Sequence, residues 1–176
     1  MRWTPFFILV YLVFGIQLGL GGIVHNSPNF ALLAAIFIAV NAHHDSALGG
    51  CLFIGLLADL SSQLAPFGVG MASFALVGML VISLQEIVYR DHILTHVSLG
   101  LICGLFYALL QITHAALYGF IFARMNHKPS PWNAAPLKFL AMQALYTALA
   151  APIALALLKK VKKRFGFRPL RSHRGK

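Results

Sequence analysis

The most informative shortage in this 176-residue chain is charge. Only 10% of the residues are charged and 59% are hydrophobic, with a mean hydropathy of +0.79. Soluble domains carry about 25% charged residues. Residues 3–89 contain no Lys or Arg, and the acids in that interval are Asp45, Asp59 and Glu86. A water-soluble surface cannot be built from such a stretch, so the sequence predicts an all-α polytopic membrane protein.

Cysteine is scarce as well. Cys51 and Cys103 both lie in apolar runs without a paired spacing, so we expect small buried hydrophobic residues and no disulfide framework. The N-terminus resembles a signal peptide only superficially. Its apolar run continues to about residue 24 without an A-x-A-like cleavage site, which predicts a retained first helix.

Motifs for catalysis or for cofactor binding are missing too. There is no GxSxG, P-loop or Rossmann glycine pattern, and no serine with a plausible base, which disfavours an intramembrane hydrolase. His43, His44 and Asp45 are adjacent on a short turn and would point in different directions, so a polar connector is favoured over a metal site. His92 and His96 have a zinc-pair spacing, but Ile93 replaces the required Glu. We predict no enzyme activity, cofactor or metal.

Basic residues are abundant only at the C-terminus. Nine of the 14 Lys and Arg residues lie within residues 159–176. Such a tail is typical of the cytoplasmic side of a membrane, near anionic headgroups, rather than of nucleic-acid binding.

The apolar runs predict six helical segments in one transmembrane domain over residues 1–158, followed by the tail. Spanning helices need about 20 mostly apolar residues. The predicted helices cover about 5–24, 29–42, 47–60, 67–89, 93–122 and 136–158, and the long polar loop covers 124–133. The second and third would be about 20 Å long, so they are either short spans or a re-entrant hairpin. GxxxG spacings at Gly15–Gly19 and Gly100–Gly104 favour close helix packing.

The basic residues also predict the orientation. With the N-terminus inside, Arg2, Arg90 and the nine basic residues of the tail are cytoplasmic, whereas Arg124, Lys128 and Lys138 are external. Eleven basic residues against three predict that both termini lie on the cytoplasmic side of the plasma membrane.

Two carboxylates lie inside the predicted helices. Glu86 precedes Arg90 by four residues, the favourable order for an intrahelical ion pair. Asp59 has two open interpretations. It is either a carboxylate that accepts backbone N–H groups at the 61–70 turn, or a functional group at a partner interface or in an outward cavity, with Lys138 and Arg124 as possible partners.

The stretch GLLADLSSQLAPFGVG around Asp59 resembles the MreD family of bacterial rod shape-determining proteins. That family has a Gly-x-x-x-Asp-Leu segment, a short break and then a Pro-Phe-Gly turn that opens the next helix. The matching residues here are Gly55, Asp59, Leu60, Pro66, Phe67 and Gly68.

The resemblance implies a non-enzymatic scaffold subunit of the cell-elongation complex that supports side-wall peptidoglycan synthesis. It would bind the single-span protein MreC directly and work with MreB, RodA and a class B penicillin-binding transpeptidase. The family's fold is similar to that of S components of energy-coupling-factor transporters. The alternative function is therefore a solute-binding S component for vitamin uptake, with convergent polar groups in an outward cavity.

The predicted topology is testable by cysteine labelling in a variant that lacks Cys51 and Cys103. Because the basic residues favour cytoplasmic termini, Ser130→Cys should react with an impermeant thiol reagent added outside, and Ser172→Cys should react only after the cells are permeabilised. Protection of position 130 together with external labelling of position 172 would show the opposite orientation.

Overall fold

A computed structural model of the chain describes residues 3–23, 27–61, 68–84, 93–126 and 137–165. These ranges contain six α-helices: α1 (Trp3–Ile23), α2 (Phe30–Asn41), α3 (His44–Ser61), α4 (Val69–Leu84), α5 (Ile93–Asn126) and α6 (Leu137–Phe165). The predicted all-α architecture is confirmed over this part of the chain.

The shortest helix, α2, is the centre of the bundle. It packs against each of the other five helices. Residues 31–39 are all at most 4% exposed, so α2 is buried on every side. A helix that is apolar all round is suited to such a position, because it has no face for water. The core around it includes Phe6 of α1, Ile54 of α3, and Phe74 and Val77 of α4.

Glycines allow close approach in the two most extensively packed helix pairs, α5–α6 and α3–α4. A Cβ on Gly100 would lie 2.8 Å from the Cβ of Ala151, and one on Gly104 would lie 3.2 Å from the Cα of Ala144. The prediction of close packing at the second GxxxG is therefore confirmed. The first GxxxG differs, because a Cβ on Gly15 or Gly19 would meet nothing within 4 Å.

The helices fall into two length classes. Within the described residues, α5 and α6 contain apolar segments long enough to cross a membrane, Thr95–Leu117 and Phe139–Leu158. The apolar segments Phe6–Gly21, Phe30–Asn41 and Val69–Leu84 are shorter. At about 1.5 Å per residue, the 12-residue α2 is about 18 Å long, well short of the hydrocarbon thickness of about 30 Å.

Three predicted boundaries were wrong. The third helix begins at His44, so His44 and Asp45 belong to its first turn, where a carboxylate is favourable to the helix dipole. The fifth helix continues to Asn126, so Arg124 is helical and not part of the polar loop. The sixth helix continues to Phe165, so the first residues of the basic tail are helical. Lys and Arg are good helix formers and suit the C-terminal end of the dipole.

Cysteine placement agrees with the prediction. Cys51 and Cys103 are both free and buried. Cys51 packs into the α3–α4 seam, where its Sγ would lie 2.8 Å from a Cβ on Gly78. The two thiols therefore act as small core side chains.

The glycine packing predicts a difference between two leucine substitutions. Gly100→Leu should lower the free energy of unfolding by about 1–3 kcal/mol or more, because its side chain would enter the backbone of α6. Gly49→Leu on α3 should change it little, because a Cβ there meets nothing within 4 Å. Thermal unfolding of the purified variants in detergent measures both, and equal melting temperatures would contradict this account of the α5–α6 seam.

Candidate functional site

Asp59 lies near the end of α3 and holds the start of α4. Its side chain is 6% exposed. The N–H of Gly70 donates to Oδ1 at 2.7 Å, and the N–H groups of Gly68 and Met71 donate to Oδ2 at 3.0 Å each. Helix starts leave N–H groups without an intrahelical partner, and a carboxylate there also favours the positive end of the dipole. Asp59 therefore caps a helix other than its own.

Small residues make this cap possible. Gly68 has φ +102°, a conformation that glycine adopts at no steric cost. A Cβ on Gly70 would lie 2.5 Å from Oδ1 of Asp59, and one on Gly55 would lie 2.6 Å from the Cα of Met71. Side chains at either glycine would push α3 and α4 apart and break the cap.

The start of α2 is capped in a similar way by side chains that we call the polar junction: Gln17, Ser27, Asn29 and Thr147. The N–H of Phe30 donates to Oε1 of Gln17 at 2.7 Å, and the N–H of Leu32 donates to Oδ1 of Asn29 at 2.9 Å. The N–H of Asn29 donates to Oγ1 of Thr147 at 3.0 Å, and Nε2 of Gln17 donates to Oγ of Ser27 at 3.3 Å. Side chains of α1, of α6 and of Asn29 itself thus accept the N–H groups at the start of α2.

The capped start of α2 borders a cavity of about 180 Å³. Its lining combines aromatic and polar side chains, including Phe14, Gln17, Asn29, Ser61, Phe74 and Tyr107. The rings of Phe74 and Tyr107 are 5.3 Å apart and join α4 to α5. The lining runs from Tyr107, near the middle of the apolar segment Thr95–Leu117, to Leu18 and Ser61, whose side chains are exposed. The cavity therefore reaches into the bundle from an opening beside α1 and α3.

Comparison with known proteins identifies the family. The family model of the rod shape-determining protein MreD matches residues 1–160. The chain belongs to the MreD family. This is a family of membrane proteins that determine cell shape, and the match covers all six helices except the last residues of α6. Comparison with curated proteins and with solved structures found no match.

The residues predicted from the MreD resemblance have separate positions. Gly55, Asp59 and Gly68 meet at the α3–α4 corner, whereas the side chain of Leu60 is 66% exposed beside it. Pro66 and Phe67 lie outside the described residues, as do both members of the predicted Glu86–Arg90 pair. The side chains of Arg124 and Lys138 are likewise outside the described part.

The predicted polar connector, which lies at the start of α3, is exposed. Nδ1 of His43 and Oδ2 of Asp45 are 3.9 Å apart, and their side chains are 70% and 89% exposed. An ion pair so exposed to water contributes little to stability.

The polar junction was missed by sequence reasoning. Asn29 had a usable signal, because an Asn that follows Pro28 and precedes an apolar run is a good N-cap. Gln17 is an isolated amide in an apolar helix, which marks a buried hydrogen bond without naming its partner. Thr147 carries no such signal, because its hydroxyl also bonds the Gln143 carbonyl of its own helix.

The cap at Asp59 predicts a graded series of variants. Asp59→Ala removes all three acceptor contacts from a buried helix start, so it should lower the free energy of unfolding by about 2–5 kcal/mol. Asp59→Asn keeps one acceptor oxygen, so its free energy of unfolding should lie between that of Asp59→Ala and that of the wild type. Asp45→Ala is the matched control, because its side chain is 89% exposed. Thermal unfolding in detergent gives the order, and an Asp59→Ala protein as stable as Asp45→Ala would contradict the cap.

Proposed function

We propose that the chain is a non-enzymatic scaffold subunit of the bacterial cell-elongation complex that binds MreC directly and supports side-wall peptidoglycan synthesis with MreB, RodA and a class B penicillin-binding transpeptidase. The observation that carries this proposal is the MreD family match over residues 1–160. A multi-pass arrangement in the plasma membrane with both termini in the cytoplasm is part of the proposal and rests on the eleven-to-three bias of the basic residues.

The geometry around Asp59 supports a scaffold rather than a solute carrier. An intramembrane carboxylate is by default a candidate for solute or proton binding. Here both carboxylate oxygens accept N–H groups from the start of α4, so the charge is engaged in holding two helices together. The alternative function, a solute-binding S component, would require another polar group to bind the solute.

The α3–α4 corner is the proposed MreC-binding element. Asp59, Gly55 and Gly68 give it a fixed shape, and Leu60 presents an exposed apolar side chain at its edge. A rigid corner with a protruding apolar residue suits helix–helix contact in a membrane, because such contacts depend on close van der Waals packing. The caps therefore matter to partner binding through the shape that they maintain.

Co-purification with MreC tests this assignment. The wild-type chain should retain MreC after extraction in mild detergent, and Leu60→Ala should reduce the retained MreC by about fivefold, equivalent to about 1 kcal/mol. Leu52→Ala is the matched control on the same helix, because its side chain is 38% exposed and lies away from the corner. Asp59→Ala should also lose MreC and should fail to restore rod shape to cells that lack their own MreD.

The same preparation distinguishes the alternative. Native mass spectrometry of the wild-type chain should show no stoichiometric water-soluble, vitamin-like ligand. Such a ligand, together with a wild-type chain that does not retain MreC, would replace the scaffold by a solute-binding subunit. Equal MreC retention by Leu60→Ala and Leu52→Ala would remove the α3–α4 corner from the interface while leaving the scaffold role in place.

A further inference from the structure

A lateral groove between α1 and α3 adjoins the cavity. The groove has a volume of about 780 Å³ and is lined by apolar residues of both helices, among them Tyr11 and Gly15 of α1 and Phe53 and Leu57 of α3. Phe14, Leu18 and Ser61 line the groove and the cavity alike. An apolar groove along two helices therefore lies next to a pocket whose lining includes amides and a phenol.

The hydrogen bonds at the polar junction determine which donors and acceptors of the pocket remain for a ligand. Backbone N–H groups only donate, so their bonds to Gln17 and Asn29 identify the amide oxygens, and these oxygens are already acceptors. Among the described contacts, Nε2 of Gln17 uses one of its two hydrogens on Ser27. Tyr107 interacts with the side chains of Asn29 and Gln111. The remaining capacity of the amides is in their N–H groups, which suit a ligand that accepts hydrogen bonds.

The electrostatics and the size restrict the ligand further. None of the lining residues that the structure describes is charged, and the one nearby carboxylate, Asp59, is engaged by α4. An ionised head would lack a counter-charge among these residues, which is costly. The aromatic residues Phe14, Phe74 and Tyr107 line the pocket. A cavity of about 150 Å³ accommodates benzene, so 180 Å³ is enough for one ring.

We propose that the groove and cavity together bind an uncharged amphiphile taken up from the bilayer, with one apolar chain in the groove and a carbonyl-bearing single-ring head in the cavity. This occupant is favoured over others because an apolar groove lies next to a pocket that contains hydrogen-bond donors. A transmembrane helix is about 10 Å wide and cannot enter a cavity of 180 Å³. A phospholipid acyl chain alone would leave the amide donors unused. The proposal is independent of MreC binding.

Binding is measured on the full chain by native mass spectrometry from detergent with two probes. Decylubiquinone carries a ring with carbonyl acceptors and a ten-carbon chain, and decylbenzene carries the same chain on a ring without acceptors. One equivalent of decylubiquinone should bind about two- to tenfold more tightly than decylbenzene, the ratio expected for a hydrogen bond. Equal affinity for the two probes would reduce the site to an apolar groove for acyl chains, and absence of decylubiquinone binding would remove it.

Two matched pairs of variants locate the probe. Gly15→Phe places a ring in the groove and should abolish binding, whereas Gly19→Phe on the same helix should not, because Gly19 does not line the groove and both positions have open space for a Cβ. Gln17→Glu keeps an acceptor oxygen for the N–H of Phe30 but removes the Nε2 donor, so it should lower the preference for decylubiquinone. Gln143→Glu on α6 is the matched control, because Gln143 does not line the cavity, and it should leave the preference unchanged. Retained binding in Gly15→Phe, or an unaltered preference in Gln17→Glu, would overturn the proposal.

Discussion

Hydrogen bonding at helix starts is the constraint on which this bundle depends. The first N–H groups of α2 and α4 have no partner within their own helices, and the neighbouring side chains of Ser27 and Asp59 are buried, which limits access of water. Each start is therefore served by side chains from other helices: Asp59 of α3 binds the start of α4, and Gln17 of α1 and Thr147 of α6 bind the start of α2. These bonds make short helices possible in a membrane protein and join five of the described helices, including α2 and α6, which are distant in the chain.

Close backbone approach is the second part of the same arrangement. Asp59 reaches the N–H groups of α4 only because Gly55 and Gly70 let the two helices come together without a Cβ between them. Gly55, Gly70 and Asp59 thus act together. The glycines let α3 and α4 approach closely, and the carboxylate accepts the hydrogen bonds that join them. Asp59 has no ionic partner among the residues that the structure describes, and three N–H donors and a helix dipole compensate its charge.

Short helices also create space. Because α2 starts level with Thr147, ten residues into α6, the long helices α5 and α6 continue past it, and the capped start of α2 borders a cavity. The polar groups around that cavity bind the start of the helix, and among the described contacts Gln17 Nε2 uses one of its two hydrogens. Capping a helix with an amide therefore also places a hydrogen-bond donor at the cavity.

The sequence by itself determined the membrane class, the six helices, the buried thiols and the importance of the segment around Asp59, because apolar periods, glycine spacing and an isolated carboxylate are local signals. One of the two interpretations of Asp59 that the sequence allowed was a carboxylate that accepts backbone N–H groups. Only the tertiary structure decided which N–H groups Asp59 binds and that Gln17, Asn29 and Thr147 meet. It also decided that Gly100 and Gly104 pack against α6, whereas a Cβ on Gly15 or Gly19 would meet nothing within 4 Å. The reason is physical: a side chain shows what it can donate or accept, but its partner is set by helix packing between residues as far apart as 29 and 147.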